Sequence, residues 1–441
     1  MRRLGGWLFL AMATTVLEPG SAQACGGCFA PPNAVQVVTD HRMVLSLSTT
    51  QTALWDQFQY SGRPEDFSWI LPIRNGPDVR IELADNAFMT VLDNITVPAL
   101  NAPSPPSRGC FDADFAGARG SAPSAAQDAG AAPPVQVLQE SVVGPYQTVT
   151  LRGEDPMALR NWLRDNGYAV PRAIEPVIDH YVGLHMDFLA LRLRPGEGIN
   201  RMQPVRVMTP GYQPTLPLRM IAAGAADKVG LLLTVLAPSR IGAMNFPNGE
   251  VQDRDLIWNW AFPGNPQTDL RTAFDLINRA NRGRAWVTES AFQLNRITLE
   301  GPIRSGALGR RPGPGGPGVP PGGPGAGLDD VREAFRGLGD NAYVTRLRAD
   351  LPTSALDQDL ILSASDRGNR ERFYSYGTVV GSPPPAPPCG GRGDGDIFVG
   401  SGGSGDGVGR FECATQPGQK GSLAVLAGVA LTALALVRRR R

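Results

Sequence analysis

Excess charge is nearly absent from this sequence: 42 Lys+Arg stand against 41 Asp+Glu, a formal net charge of +1. So even a balance provides no long-range field to draw in nucleic acid, and a polyanion partner is not implied. Lysine is almost missing, with Lys228 and Lys420 the only two; we attribute this to base composition and read no chemistry from it. Histidine is scarce as well, at His41, His180 and His185. The H-E-x-x-H pattern of zinc hydrolases does not occur, and five-residue spacing cannot put His180 and His185 on one helical face. The folded region also lacks the G-x-S-x-G serine elbow; Gly402-Gly403-Ser404-Gly405-Asp406 misses the final glycine and sits in a Gly-rich stretch with no scaffold to strain it. Arg392-Gly393-Asp394, in the same stretch, is read as chance. The sequence carries no cofactor motif and no metal-binding set.

Glycine and proline are abundant instead. Gly 53 and Pro 40 make about a fifth of the 441 residues, against a usual share of roughly 12%. The excess concentrates in residues 309–327, which lack the strict three-residue period of collagen, and in residues 381–409. Both read as disordered linkers, because such composition leaves almost nothing to bury.

The two ends read as export signals. Met1-Arg2-Arg3, the apolar stretch from Leu4 to Leu17 and Ala22-Gln23-Ala24 form a secretory signal peptide over residues 1–24. Cys25 follows directly, but Gln23 and the lack of a leucine at position 22 favour ordinary cleavage over lipidation. At the other end an apolar run from Leu423 to Val437 is closed by Arg438, Arg439, Arg440 and Arg441. Fifteen residues rise about 22 Å as a helix, short of a hydrocarbon core of about 30 Å. Snorkelling arginines extend the reach, and the positive-inside rule leaves the bulk of the chain outside. The expected location is the cell envelope or surface, with the membrane as one partner.

Between the ends, alternation predicts strands over residues 35–60 and 67–73. Asp85 caps a predicted helix with Phe88, Val91, Leu92 and Ile95 inward, and residues 101–134 read as a mobile loop. A hairpin over residues 135–152 turns at Gly144-Pro145. A helix follows with Asp155 as N-cap, Pro156 at its first position, Leu159, Trp162 and Leu163 inward and Gly167 as its stop. Strands are predicted at residues 186–193, 228–237, 284–288, 342–347 and 360–363, with helices at 270–280 and 331–338. Strand and helix without regular βαβ alternation define an α+β class: a mixed, strand-rich domain with a few amphipathic helices, Gly/Pro linkers and a C-terminal anchor helix. The expected organisation is a domain over 25–308, the insertion at 309–327, the rest of the domain at 328–380, a stalk at 381–421 and the anchor at 422–441.

Cys25 and Cys28 form a C-x-x-C pair. A redox centre needs that pair at a strand-to-helix junction, which Gly26-Gly27 and Pro31-Pro32 deny. A structural disulfide in an oxidising compartment is expected. Cys110 and Cys389 are available for a long-range pair, but four cysteines allow three connectivities, and a zinc site lacks a second close pair.

Ala24-Cys25-Gly26-Gly27-Cys28, Ser68-Trp69-Ile70-Leu71-Pro72-Ile73, Val143-Gly144-Pro145-Tyr146, the helix end Trp162 to Tyr168, and the strands Met186 to Leu191 and Pro217-Leu218-Arg219-Met220 together resemble the bacterial domain-of-unknown-function family number 2330. Likeness at Arg284-Ala285-Trp286-Val287-Thr288-Glu289 and Tyr343-Val344-Thr345-Arg346-Leu347 extends the resemblance over most of residues 25–375. The resemblance implies an exported protein, often anchored, and carries no activity to any residue. The tail resembles the sorting tails of myxobacterial surface proteins, with Cys413 as the sorting or lipidation candidate, a spacer from Ala414 to Ser422, and the terminal arginines. That likeness implies a temporary anchor removed by a sorting protease near Cys413; a permanent single span is the alternative. Three functional readings follow: a non-enzymatic binding or structural module, an extracytoplasmic hydrolase drawing on Asp179, His180, His185 and Asp187, or a thiol-redox protein using Cys25 and Cys28. The first is favoured because a compact domain on a stalk is a display geometry.

Overall fold

The computed structural model describes residues 28–29, 41–57, 63–104, 135–222, 228–306 and 325–384. The signal peptide, most of the 101–134 loop, residues 309–324 of the insertion, and the stalk and anchor beyond residue 384 lie outside the described residues. So do Cys25, Cys110, Cys389, Cys413, Leu423, Val437 and Arg438 to Arg441, and hence the disulfide, sorting and anchoring expectations. Among the described residues no helix is long and apolar enough to cross a membrane.

Two sheets carry the α+β architecture. Their strands are β1 (Cys28–Phe29), β2 (His41–Leu47), β3 (Gln51–Gln57), β4 (Ser68–Ile73), β5 (Arg80–Leu83), β6 (Gln136–Val143), β7 (Tyr146–Arg152), β8 (Asp187–Leu193), β9 (Val205–Pro210), β10 (Lys228–Ala237), β11 (Asn248–Glu250), β12 (Trp286–Asn295) and β13 (Asn341–Pro352). The larger sheet runs β11-β12-β13-β10-β2-β3-β9-β5, and the smaller runs β1-β4-β8-β7-β6. Antiparallel pairing dominates; β10 with β2 and β11 with β12 are the parallel neighbours in these sheets. Helices α1 (Asn86–Thr96), α2 (Pro156–Asp165), α3 (Glu175–Gly183), α4 (Leu218–Ala222), α5 (Pro266–Ala280), α6 (Arg296–Ser305) and α7 (Leu328–Ala334) complete the core.

The period-2 pattern of the strands sorts side chains into layers. Met43, Leu45, Leu47, Leu231, Leu233 and Val235 on one face of the larger sheet pack against Trp69, Leu71, Leu189 and Leu191 of the smaller one. Their alternate neighbours Val44, Trp55, Leu236 and Val344 pack against Phe88, Leu92, Leu299 and Val331 of α1, α6 and α7. The outer face of the smaller sheet, with Val149, Leu151 and Phe188, is covered by Leu159 and Leu163 of α2 and Ile178 of α3. The order is helix, sheet, sheet, helix. A fourth cluster joins Leu270 and Phe274 of α5 to Val287 of β12 and to Tyr374.

Several boundaries differ from the sequence expectation. Pro217-Leu218-Arg219-Met220, read as a strand, forms α4 after a two-residue strand at Thr215–Leu216. Four residues cannot distinguish period 2 from 3.6; here Leu218 and Ile221 face the inter-sheet core while Met220 faces the α2/α3 layer. The strand expected at 284–288 begins at Trp286, after left-handed Arg282 and Gly283, and continues to Asn295. Helix α7 starts at Leu328, directly after left-handed Gly327, and ends at Ala334, before the expected limit.

Candidate functional site

The residues of the hydrolase reading do not act on a common point. Asp187 is buried on β8, where both oxygens meet Arg152 at 2.8 and 2.7 Å and one accepts the Gly76 N–H at 2.8 Å. Asp179 on α3 pairs with Arg160 of α2, tying the two helices together. His180 is half-buried in the last turn of α3, its ring edge-on to Tyr181 at 5.3 Å. His185 is exposed at left-handed φ 53° beyond the end of that helix. Cys28 sits on β1, opposite Trp69 at the edge of the smaller sheet.

Sequence reading missed a buried pair formed by the third histidine. His41 Nε2 meets Asp56 Oδ1 although the two lie fifteen residues apart, because Asp56 stands opposite Met43 in the β2/β3 hairpin and so shares a face with His41. Both are at least 97% buried. They border an apolar cavity of about 20 Å³ with Trp69, Leu216 and Met220, room for one water-sized group.

The more open site lies between α5 and the larger sheet. The bulge in β12 creates it: Thr288 pairs with Leu347 and Ser290 with Arg346, so Glu289 is the extra residue, with no partner of its own in the ladder. A bulge re-aims a side chain that strict alternation would point elsewhere. Here the Glu289 carboxylate, 1% exposed, lies between two arginines two residues apart on β13. Arg346 Nε donates to one oxygen at 2.6 Å and Arg348 Nε to the other at 2.5 Å. Arg346 Nη1 continues to Asp93 of α1 at 2.6 Å and to Thr96 at 3.1 Å. From the other side the Tyr374 hydroxyl donates to the Glu289 carbonyl at 2.7 Å, and burial pushes that phenol up to about 12. Buried charges are tolerated when paired and hydrogen-bonded, as both partners are here.

Over this floor stands α5. Positions 270 and 274 recur at the helical period and turn inward, both buried, while Arg271 and Asp275 recur at the same interval on the flank and remain accessible. Together with Val97, Pro98, Arg348 and Asp350 they enclose a cavity of about 110 Å³ that opens to solvent. Close seating of α5 depends on Gly249 in β11, where a Cβ would fall 2.4 Å from the Ile277 methyl. Arg271 and Asp275 form no ion pair with each other or with any other described residue. Lys228 approaches Asp350 at 3.6 Å, both part-exposed. A second cavity, of about 220 Å³, lies beside Tyr181 and Tyr212, but its carboxylate, Asp359, already accepts the Tyr181 hydroxyl and the Arg219 N–H.

Fold and site together define an α+β protein built on two large sheets, with a polar, charge-lined cleft beside a bulged strand. This chain belongs to the family described as uncharacterized protein conserved in bacteria (DUF2330), whose model matches residues 19–303. Neither the curated proteins nor the solved structures yield a match. Glu289, which the family match includes, and Arg346, beyond it, come from the two segments, 284–289 and 343–347, that also carried the sequence resemblance.

Proposed function

We propose that this chain is an exported protein, held at the cell envelope by its C-terminal segment, and that it works as a non-enzymatic binding module through the cleft under α5. The observation that carries the binding reading is the pairing of a fixed floor with uncommitted walls. Glu289, Arg346 and Asp93 are locked to one another, whereas Arg271 and Asp275 stand at the rim with no partner among the described residues. A rigid floor keeps the cleft open, and unpaired rim charges lose little on meeting a ligand. The export reading rests on the signal peptide at residues 1–24 and the arginine-closed apolar run.

The test uses full-length protein purified from its own envelope in detergent. Incubated with a fractionated envelope extract, the wild type is expected to retain ligands that an Arg271→Gln/Asp275→Asn variant does not, read by differential mass spectrometry. Equal retention by both forms overturns the cleft as the binding site. Chemical conversion of a retained ligand by the wild type would replace binding with catalysis.

A further inference from the structure

We infer that the cleft under α5 is shaped for a short zwitterionic peptide with both ends free and an apolar side chain. This deepens the binding reading and rests on it. Above the locked Glu289–Arg346 pair of the floor, two elements wall the cleft with a cation and an anion apiece: Arg271 and Asp275 on α5, Arg348 and Asp350 on β13. Four residues of helix separate the first two by about 6 Å along the axis, and two residues of strand separate the second two by about 7 Å. Two residues of extended peptide span about 7 Å as well. The backbone positions that carry the charges therefore recur at the interval between the amino and carboxyl ends of a dipeptide, whereas a single amino acid carries its two charges on neighbouring carbons.

Charge balance points the same way. The three cations and three anions that line the cavity, Arg271, Arg346 and Arg348 with Asp275, Glu289 and Asp350, leave no net sign, so a simple anion or cation would meet as much repulsion as attraction. A guanidinium fork suits a carboxylate, and paired carboxylates suit an ammonium. Between the charged positions the wall is apolar, formed by Val97, Pro98, Leu270 and Phe274. That strip gives a side chain a dry contact while the open mouth leaves the rest of the ligand in water. The rim charges of α5 are the freest to respond, since neither has a described partner. The strand's arginine is positioned from beneath, with its Nε on Glu289.

The experiment is calorimetric titration of the full-length protein with L-alanyl-L-leucine, its N-acetyl form, its C-terminal amide and free L-leucine. The free dipeptide is expected to bind, and capping either end to weaken it by about ten- to a hundredfold, the loss of a hydrogen bond between charged groups. Arg271→Gln should abolish the penalty for the amide while keeping that for the acetyl cap, and Asp275→Asn should do the reverse. Both positions are on the accessible flank of α5 with no described partner to lose, so circular dichroism and the melting temperature should stay at wild-type values. Equal binding of capped and free dipeptide overturns the zwitterion, as does free leucine binding as well as the dipeptide. If no probe binds, the peptide assignment fails, while the envelope-extract comparison still decides whether the cleft binds anything else.

Discussion

At the scale of single residues, the charged groups of this protein divide into those that hold the structure and those left available. Glu289 belongs to the first set, and so does Glu333 on α7. Burial by itself would push the Glu333 carboxyl up, but hydrogen bonds from Arg336 and Gln51 and the charge of Arg80 together hold it below its ordinary value of 4.5. Gln51 Nε2 donates at 2.8 Å and Arg336 Nη2 at 2.6 Å. A carboxyl held low in the folded state and released in the unfolded one contributes stability that is complete above the unfolded value and lost as the pH falls through the folded one. The wild type should therefore lose stability relative to Glu333→Gln as the pH drops from 6 through about 4.5 and below. Urea melts of both proteins across that range measure it. A stability gap that stays constant with pH would mean the carboxyl is not held low.

The residue scale is also where the sequence was least legible. Asp187 looked like a candidate base because two histidines lie near it in the chain, but in the fold it is an anchor for Arg152 and the Gly76 amide. At a separation of fifteen, His41 and Asp56 carry no local signal of a pair, since only the hairpin register places them on one face. Glu289 and Arg346 stood inside recognisable segments, yet their meeting depends on a bulge that no local pattern announces. Contacts between distant strands are set by register, and register is written in the whole sheet.

At the scale of elements, legibility followed local signals. Helix α2 has the N-cap bond from the Met157 N–H to Asp155 at 2.9 Å, Pro156 in its first turn and left-handed Gly167 beyond its end, each a signal readable in the chain. The β6/β7 hairpin was legible for the same reason, with Gly144 at φ 55° where a Cβ would press on Leu83. Helix α6 was not, because Gly301 and Pro302 inside it are poor helix formers; its Asn295 cap and the burial of Leu299 and Ile303 sustain it. For α5 the decisive contact is again a glycine. Gly249→Val would drive the new methyls into Ile277 and Val287, with an overpacking cost of about 1–3 kcal/mol. Because α5 forms one wall of the cleft, this variant should also lose affinity for any cleft ligand, whereas an equally destabilising change between the sheets should not. Chemical denaturation beside the dipeptide titration separates the two effects, and unchanged affinity in Gly249→Val would show that the seating of α5 does not shape the cleft.

At the scale of the whole molecule, the layered domain and the two ends of the chain make separate demands. Among the described residues the apolar faces of the two sheets are buried against each other and against the helices. Attachment, on our reading, falls to the apolar run from Leu423 to Val437 and the four arginines after it, joined to the domain through residues 385–422. A run of fifteen residues is short for a permanent span, and its stability there depends on the arginines reaching the far headgroups. The proposal therefore predicts that deleting residues 422–441 moves the protein from the envelope fraction to the medium without altering its melting temperature, and that Arg438–Arg441 replaced by serine weakens retention in the same direction. The mature N-terminus should be Cys25 in every case, since leader removal is independent of the tail. Epitope tags placed after residue 384 and at the C-terminus distinguish a permanent anchor from a sorted one. If both tags stay with the envelope protein, the span is permanent. If the C-terminal tag is lost and Cys413→Ser preserves it, cleavage near Cys413 follows. Retention of the truncated chain in the envelope would overturn the anchor altogether, leaving the domain itself to account for attachment.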